Sequence, residues 1–206
     1  MTTGTRVLLA SRPVGEPKAS DFRFEQMPVP APKPGEMLLK TLWLSLDPYM
    51  RGRMSDAPSY AKPVDIGQVM EGRTVSEVVA SNLNGYAPGN IVLSPSGWQT
   101  HAISQGKLTR KIDPSLAPVS TALGVLGMPG MTAYVGLSEI GQPKAGETVV
   151  VSAASGAVGS MVGQLAGLLG ATRVIGSAGT DAKVARLRDL GFDAAFNYHD
   201  GPVTDL

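Results

Sequence analysis

The most constraining feature of this sequence is a stretch without one charged side chain, from Thr148 to Thr172. It is long enough to cross a bilayer as a single helix. The stretch has two unlike parts, however: residues 148–151 are Thr and Val, whereas the apolar residues that follow recur at helical spacing. Gly156 and Gly159 lie where the two parts meet. We therefore predict a buried strand that leads through a tight turn into a buried helix, and no membrane span.

The same strand and helix open a regular alternation that continues almost to Leu206. The predicted elements are helices at Thr121–Leu126 and Met131–Ile140, a strand at Thr148–Ala153, a helix at Gly156–Leu169, a strand at Arg173–Ser177, a helix at Asp181–Leu190 and a strand at Ala194–Asn197. Each of the last two helices is followed by a glycine, which suits a left-handed C-terminal cap. Strands that alternate with helices of this length are typical of βαβ units in a parallel sheet.

The first part of the chain has a different character, with short apolar stretches between proline and glycine turns. The alternating prolines from Pro28 to Pro34 exclude a helix or a central strand, because proline has no backbone N–H to donate. Strands are predicted at Met37–Leu46, Thr74–Val79, Asn90–Ser94 and Gln99–Ile103. Short, regularly spaced strands indicate a β-barrel or sandwich. The sequence thus predicts two domains, a β domain over 1–120 and an α/β domain over 121–206.

Composition excludes several classes of function. Eighteen Lys and Arg balance seventeen Asp and Glu without a basic cluster, so we expect no nucleic-acid partner and no membrane-surface patch. The absence of cysteine excludes disulfides, thiolate catalysis and Cys-based zinc sites. The N-terminus lacks the basic segment and apolar stretch of a signal peptide, so we expect a cytoplasmic protein.

The turn after the first α/β strand reads Ala153-Ala154-Ser155-Gly156-Ala157-Val158-Gly159. Gly156 and Gly159 keep the spacing of the second and third glycines of a dinucleotide-binding fingerprint, and Ala153 stands in place of the first. Gly156 would let the backbone approach a pyrophosphate, and Gly159 would let the helix pack closely on the sheet. The N–H groups at the start of the helix would attract phosphate. The alternative is a βαβ unit whose glycines serve packing alone.

The end of the second α/β strand indicates which dinucleotide binds. An NAD site places Asp or Glu there, about 20 residues after the fingerprint, to bind the ribose 2′-hydroxyl. Here residues 175–179 carry no carboxylate, and Lys183 follows in the first turn of the next helix. An uncharged strand end and a nearby ammonium favour a 2′-phosphate, and hence NADP(H). Asp181 is an alternative NAD-selecting acid, although Thr180-Asp181 is also typical of a capped helix start.

Motifs along the whole chain carry a family resemblance. They are Leu46-Asp47-Pro48-Tyr49-Met50-Arg51, Met54-Ser55, Tyr60 before Pro63–Gly67, Gly127–Tyr134, Gly146–Gly159, Gly176–Gly179 with Lys183, and Leu190–Asp193. Together they resemble the medium-chain dehydrogenase/reductase superfamily. Within it they resemble the zinc-independent double-bond reductases, which include curcumin, prostaglandin, leukotriene and plant alkenal reductases. The Asp-Pro-Tyr-Met-Arg segment is the most specific of these motifs.

The resemblance implies a GroES-like β-barrel domain followed by a Rossmann domain, with NADPH as the cofactor. It further implies a homodimer that reduces the C=C bond of α,β-unsaturated ketones or aldehydes, with hydride added at the β-carbon and a proton at the α-carbon. Zinc-dependent members of the superfamily carry Gly-His-Glu where this chain has residues 67–72 and no histidine, so metal-free chemistry is expected. Tyrosine phenols, or the ribose hydroxyl of the cofactor, would then polarise the substrate carbonyl.

Matched residue by residue, the resemblance implies two sets of site residues and no metal ligand. Tyr49 and Tyr60 would line the substrate pocket as the catalytic pair, with Trp98 a weaker candidate. The cofactor set would be Met128, Thr132, Ser155, Gly156, Ala157, Val158, Gly159, Gly179, Lys183 and Tyr198. Simple packing is the alternative for both tyrosines, for Met128 and for Trp98. We expect Arg51 to form an interdomain ion pair.

The resemblance also implies a longer chain. A dinucleotide-binding sheet is built from two βαβαβ halves, yet Leu206 follows soon after the third predicted strand. We therefore expect a truncated chain with a partial Rossmann domain and an exposed apolar sheet edge. Three functions stay open at this point: an NADPH-dependent enone reductase, a non-catalytic NADP(H)-binding module, and an oligomerisation domain.

Overall fold

The structure is a computed structural model that describes residues 3–201, and the chain divides after Leu123 into two compact units. The elements of the first unit are β1 (Thr3–Leu9), β2 (Phe22–Pro28), β3 (Met37–Leu44), α1 (Tyr49–Arg53), β4 (Thr74–Ser81), β5 (Ile91–Ser94), β6 (His101–Ser104), β7 (Arg110–Ile112) and 3-10 helices at Ala19–Asp21 and Val119–Leu123. Within residues 3–201, no helix combines the length and the apolar character needed to cross a membrane.

The strands of the first unit form two antiparallel sheets. One is the hairpin β1-β2, and the other has five strands in the order β6-β3-β4-β5-β7. Strand β1 also pairs with the connecting segments: the Val7 N–H donates to the carbonyl of Trp98 (2.8 Å), and the Met70 N–H donates to the carbonyl of Val7 (3.0 Å). These bonds attach the hairpin to the loops of the larger sheet. Pro28 ends β2, and the other prolines of the run lie in the connection between β2 and β3.

The core of the first unit follows from the two-residue period of its strands. Met37 and Leu39 lie on one face of β3 and pack with Val78 and Val92 of the neighbouring strands, and all four side chains are completely buried. A second cluster, under the hairpin, contains Leu9, Met54, Val64 and Met70. Helix α1 contributes Met54 from its C-terminal cap, so this cluster holds α1 against the sheet.

The second unit contains α2 (Met128–Val135), a π-helical turn (Gly136–Gly141), β8 (Thr148–Val151), α3 (Gly159–Leu168), β9 (Arg173–Ala178), α4 (Asp181–Asp189) and β10 (Ala194–Asn197). Its three strands form a parallel sheet in the order β10-β9-β8. Both crossovers lead to the adjacent strand in the same direction, so right-handed connections place α3 and α4 on one face of the sheet.

Phe192 is the largest buried side chain at the contact between α3 and β9, and it is 4% exposed. A Cβ atom at Gly163 of α3 would lie 2.0 Å from its ring, and a Cβ atom at Gly176 of β9 would lie 2.8 Å from it. The aromatic ring therefore fills the space that two glycines leave open on facing elements. This explains two glycines inside regular elements, where glycine otherwise costs stability.

Three of the four predicted helices differ from the structure by more than one residue. Helix α3 begins at Gly159 rather than Gly156, because residues 152–158 form an extended turn. Helix α2 begins at Met128, where Pro129 suits the first helical turn, and it continues into the π-helical turn. The predicted helix at 121–126 is instead a 3-10 helix that ends at Leu123.

Candidate functional site

The turn between β8 and α3 is shaped by close backbone contacts. Ala153 has a left-handed backbone (φ +48°), and its carbonyl accepts the N–H of Gly156 at 3.0 Å. A Cβ atom at Gly159 would lie 2.6 Å from that carbonyl oxygen and 2.8 Å from Cα of Ala154. Position 159 therefore accepts only glycine without a shift of the backbone. This close approach brings the start of α3 onto the end of β8.

The start of α3 carries backbone donors without protein acceptors. Among the described residues, no hydrogen bond has the N–H of Ala157, Val158 or Gly159 as its donor, whereas the Ser160 N–H donates to the carbonyl of Gly156. Residues 156–158 are exposed, and Ser155 is half-buried beside them. Unpaired N–H groups and the positive end of the helix dipole make this turn suitable for an anion such as a phosphate.

The end of β9 lies next to this turn, since the Ala154 N–H donates to the carbonyl of Ser177 at 2.9 Å. Thr180 caps α4 by accepting the N–H of Lys183 at 3.3 Å, as the Thr-Asp pair predicts. The Asp181 carboxylate accepts a hydrogen bond from Nδ2 of Asn197 (2.9 Å). The Lys183 side chain is exposed and makes no ion pair within residues 3–201.

Tyr198 lies at the carboxyl end of β10, over Gly179. A Cβ atom at Gly179 would lie 2.6 Å from the Tyr198 hydroxyl, and the Tyr198 N–H donates to the carbonyl of Ala178 at 3.1 Å. The phenol is about half exposed, and its ring is 4.4 Å from that of His199. The structure therefore brings Gly179 and Tyr198 together at the same sheet edge as the β8–α3 turn.

Met128 and Thr132 lie one turn apart on the same face of α2. The Thr132 hydroxyl donates to the Met128 carbonyl at 2.8 Å, and both side chains are exposed. The thioether and the hydroxyl thus form one small surface at the start of α2. Its apolar and polar atoms are both accessible to a ligand.

Tyr49 and Tyr60 of the first unit are brought together by a residue that the sequence analysis did not single out. The guanidinium carbon of Arg53 lies 5.7 Å from the ring centre of Tyr49 and 5.0 Å from that of Tyr60. The same guanidinium forms an ion pair with Glu71. The spacing of Tyr49 and Arg53, one helical turn apart on α1, is the sequence signal that could have identified this contact. Tyr60 is 85% exposed.

The Tyr49 phenol is half-buried, and burial is the main reason that its pKa is raised. The carboxylates of Glu71 and Asp47 raise this pKa further, whereas Arg53 and Arg73 lower it. The net shift is upward, so the phenol keeps its proton at neutral pH. Tyr49 can therefore donate a hydrogen bond.

The contacts of Trp98 and Arg51, the two other side chains considered in the sequence analysis, lie within the first unit. Trp98 stacks on Phe22 with ring centres 5.5 Å apart and packs on the cluster under the hairpin, which supports the packing interpretation of this residue. Arg51 donates to the carbonyls of Pro13 (3.0 Å) and Gly15 (2.9 Å). The Arg51 guanidinium thus binds backbone carbonyls of the first unit, and the expected interdomain ion pair stays a prediction.

In the part of the chain that the structure describes, no three His, Asp or Glu side chains lie close enough to hold a metal ion. The candidate groups of the first unit are Tyr49 and Tyr60 with Arg53. Those of the second unit are the backbone donors at the start of α3 and the exposed Lys183.

Comparison with known proteins adds the following similarities. Residues 5–112 match a family described as the N-terminal domain of oxidoreductase. The chain is 54% identical over 195 residues to the NADPH-dependent curcumin reductase of Escherichia coli (strain K12), covering 94% of this chain and 56% of that protein. It is 50% identical over 188 residues to prostaglandin reductase 1 of Bos taurus, covering 90% of this chain and 55% of that protein.

The fold is also similar to a solved structure. The crystal structure of CurA from Vibrio vulnificus in complex with NADPH superposes with a TM-score of 0.90 at 53% identity, covering 96% of this chain and 58% of that chain. The chain spans little more than half the length of the curated relatives that it matches.

Proposed function

We propose an NADPH-dependent reductase, because this chain belongs to the medium-chain dehydrogenase/reductase superfamily, in the branch of the curcumin and prostaglandin reductases. In this proposal residues 1–120 are a GroES-like catalytic domain, and residues 121–206 are the first half of a Rossmann domain. The antiparallel sheets of the first unit and the parallel sheet of the second support that division.

The observation that carries the proposal is the set of unpaired N–H groups at Ala157, Val158 and Gly159, next to the end of β9. These donors, with Ser155 and Gly156, would hold the pyrophosphate of NADPH. The Lys183 ammonium would attract the 2′-phosphate. The hydrogen bond from Asn197 to Asp181 already engages the one acid near this strand end, which supports NADPH over NADH.

The positions of the other proposed cofactor residues indicate which part of NADPH each would contact. Tyr198 and Gly179 would lie near the adenosine end, at the edge of the sheet. Met128 and Thr132 would contact the nicotinamide end, where an exposed thioether and hydroxyl suit a partly polar ring. When bound, NADPH supplies the hydride.

The proposed substrate is an α,β-unsaturated ketone or aldehyde. As hydride is added at its β-carbon, negative charge develops on the carbonyl oxygen, and a proton must then reach the α-carbon. Tyr49 and Tyr60 would donate hydrogen bonds to that oxygen. The raised pKa of Tyr49 supports this role, because a protonated phenol is required for donation. Metal-free chemistry and a homodimer belong to the same proposal and rest on the family resemblance, and a cytoplasmic location is proposed with them.

The experiment is a cofactor-binding titration, monitored by nicotinamide fluorescence, with Lys183→Glu as the variant. We expect its Kd for NADPH to rise about tenfold, which corresponds to about 1.4 kcal/mol, and its Kd for NADH to change little. Arg188→Glu is the matched control, since it reverses a charge at the other end of α4. Equal losses for NADPH and NADH would contradict the role of Lys183.

The unmodified chain tests the function itself. Binding of NADPH together with its enone-dependent oxidation supports the reductase. NADPH binding without enone reduction would favour a non-catalytic NADP(H)-binding module. No binding at millimolar NADPH would leave the glycines of the β8–α3 turn with a packing role only.

A further inference from the structure

Arg53 lies at the centre of a contact group that includes both proposed catalytic tyrosines. Its side chain is 14% exposed, although arginine is rarely buried without partners. Those partners are the Glu71 carboxylate and the ring faces of Tyr49 and Tyr60. We infer that Arg53 is a positioning residue of the proposed reductase: its guanidinium, oriented by Glu71, holds the two tyrosine rings together as hydrogen-bond donors. This inference rests on the proposed function.

Tyr60 depends on this contact more than Tyr49 does. It is 85% exposed and lies in an irregular segment between α1 and β4. Among the ring contacts found within residues 3–201, the guanidinium of Arg53 is the one that involves Tyr60. A cation over a tyrosine ring at an exposed site changes the population of ring positions about two- to fivefold. We therefore expect the Tyr60 ring to occupy a wider range of positions when the Arg53 side chain is removed.

The backbone of Arg53 holds the same segment. Its carbonyl accepts the N–H of Val64 at 2.8 Å. Arg12 holds this end of the segment as well, because its guanidinium donates to the carbonyls of Val64 (2.8 Å) and Met54 (3.1 Å). The two ends of the segment 55–63 are thus fixed by backbone contacts that a substitution of the Arg53 side chain leaves in place. A variant at position 53 should release the Tyr60 ring without releasing the segment.

The Arg53–Glu71 pair also contributes to the proton affinity of Tyr49, whose pKa burial raises most, and its two members act in opposite directions. Glu71 raises the pKa of Tyr49, and Arg53 lowers it. The other charged groups that act on this phenol are Asp47, which raises its pKa, and Arg73, which lowers it. Arg53→Met should therefore raise the pKa of Tyr49, and Glu71→Gln should lower it.

The test compares Arg53→Met, Arg53→Lys and Glu71→Gln with a matched control, Arg6→Met. Arg6 forms the other ion pair of this kind in the first unit, with Nε 2.7 Å from Oε2 of Glu25. Ultraviolet titration of tyrosine ionisation, with Tyr49→Phe to assign the Tyr49 transition, gives the pKa. We expect opposite shifts for Arg53→Met and Glu71→Gln, and no shift for Arg6→Met.

Steady-state kinetics with NADPH and an enone provide the second readout. For Arg53→Met we expect kcat/KM for the enone to fall at least tenfold with an unchanged Kd for NADPH. The kcat/KM of Arg53→Lys should lie between those of the unmodified protein and of Arg53→Met, because lysine keeps the charge but not the planar stacking group. An unshifted Tyr49 titration in Arg53→Met, or kinetics equal to those of Arg6→Met, would overturn the inference. Failure of the unmodified chain to bind NADPH would refute the proposed function instead, and the titration would still decide whether Arg53 acts on Tyr49.

Discussion

The substitution Gly163→Ala tests the contact between α3 and β9 most directly. The added methyl carbon would lie 2.0 Å from the ring of Phe192, whereas carbon atoms in ordinary contact are about 3.5–4.0 Å apart. The ring has little room to move toward the sheet, because even the position of a Cβ atom on Gly176 of β9 lies only 2.8 Å from it. Overpacking of this kind costs about 1–3 kcal/mol. Since the overlap is large, we take the upper end of that range.

Replacement of glycine by alanine inside a helix also has a favourable effect, of about 1 kcal/mol. The expected net loss for Gly163→Ala is therefore about 2 kcal/mol. Gly167 provides the matched control, because it lies one turn later on α3 and has no other atom within 4 Å of the position of a Cβ. Gly167→Ala should stabilise the second unit by up to about 1 kcal/mol. The two variants carry the same chemical change and should move stability in opposite directions.

The assay is urea unfolding followed by circular dichroism, with amide hydrogen exchange in α3 and β9 to confirm that the second unit is affected. Phe192→Leu in the Gly163→Ala background should recover most of the lost stability, because the smaller side chain removes the overlap. A double-mutant cycle measures this coupling. Equal stability of Gly163→Ala and Gly167→Ala would refute the argument from the Phe192 contact.

Two further predictions follow from single residues. Ala153→Gly should raise the free energy of unfolding by about 1 kcal/mol, because the backbone at this position is left-handed and alanine is strained there. Urea unfolding measures this gain. A free energy of unfolding equal to or lower than that of the unmodified protein would contradict the prediction. Burial, and then the charge of Lys40, lower the pKa of His101, so the unfolded chain takes up protons at higher pH than the folded one. The free energy of unfolding should therefore fall as the pH is lowered through the ordinary histidine pKa of 6.5. His101→Gln should reduce this pH dependence. An unchanged dependence in His101→Gln would show that another group is responsible.

The α/β unit was the easier half to predict, because its elements are encoded by neighbouring residues. An uncharged stretch with helical spacing indicates a buried strand and helix without reference to distant contacts. The start of α3 was nevertheless placed three residues early. Residues 156–158 are compatible with helix, and only the tight contact of Gly159 with the carbonyl of Ala153 shows where the helix begins.

The β unit was harder, because its pairing is between distant segments. Strands β1 and β2 were not predicted, and their hairpin is completed by hydrogen bonds to residues about 60 and 90 positions along the chain. The Arg53 contact group was missed for the same reason. Tyr49 and Arg53 are close in sequence, but Tyr60 and Glu71 reach the guanidinium only through the fold of the intervening segment.

The β8–α3 turn shows how one local geometry bears on both stability and binding. Because Gly159 allows the helix to start against the end of β8, the N–H groups of residues 157–159 lie at the helix start, where they have no intrahelical acceptor. Such donors are expensive to leave unpaired away from water; Ala157 and Val158 are exposed, whereas Gly159 is buried. Ala153 adds a strained backbone at the same turn, which is the kind of cost that is often retained at a binding site. A stabilised Ala153→Gly variant with an unchanged Kd for NADPH would show that this strain lies outside the proposed phosphate site, whereas a changed Kd would place the strained peptide within it.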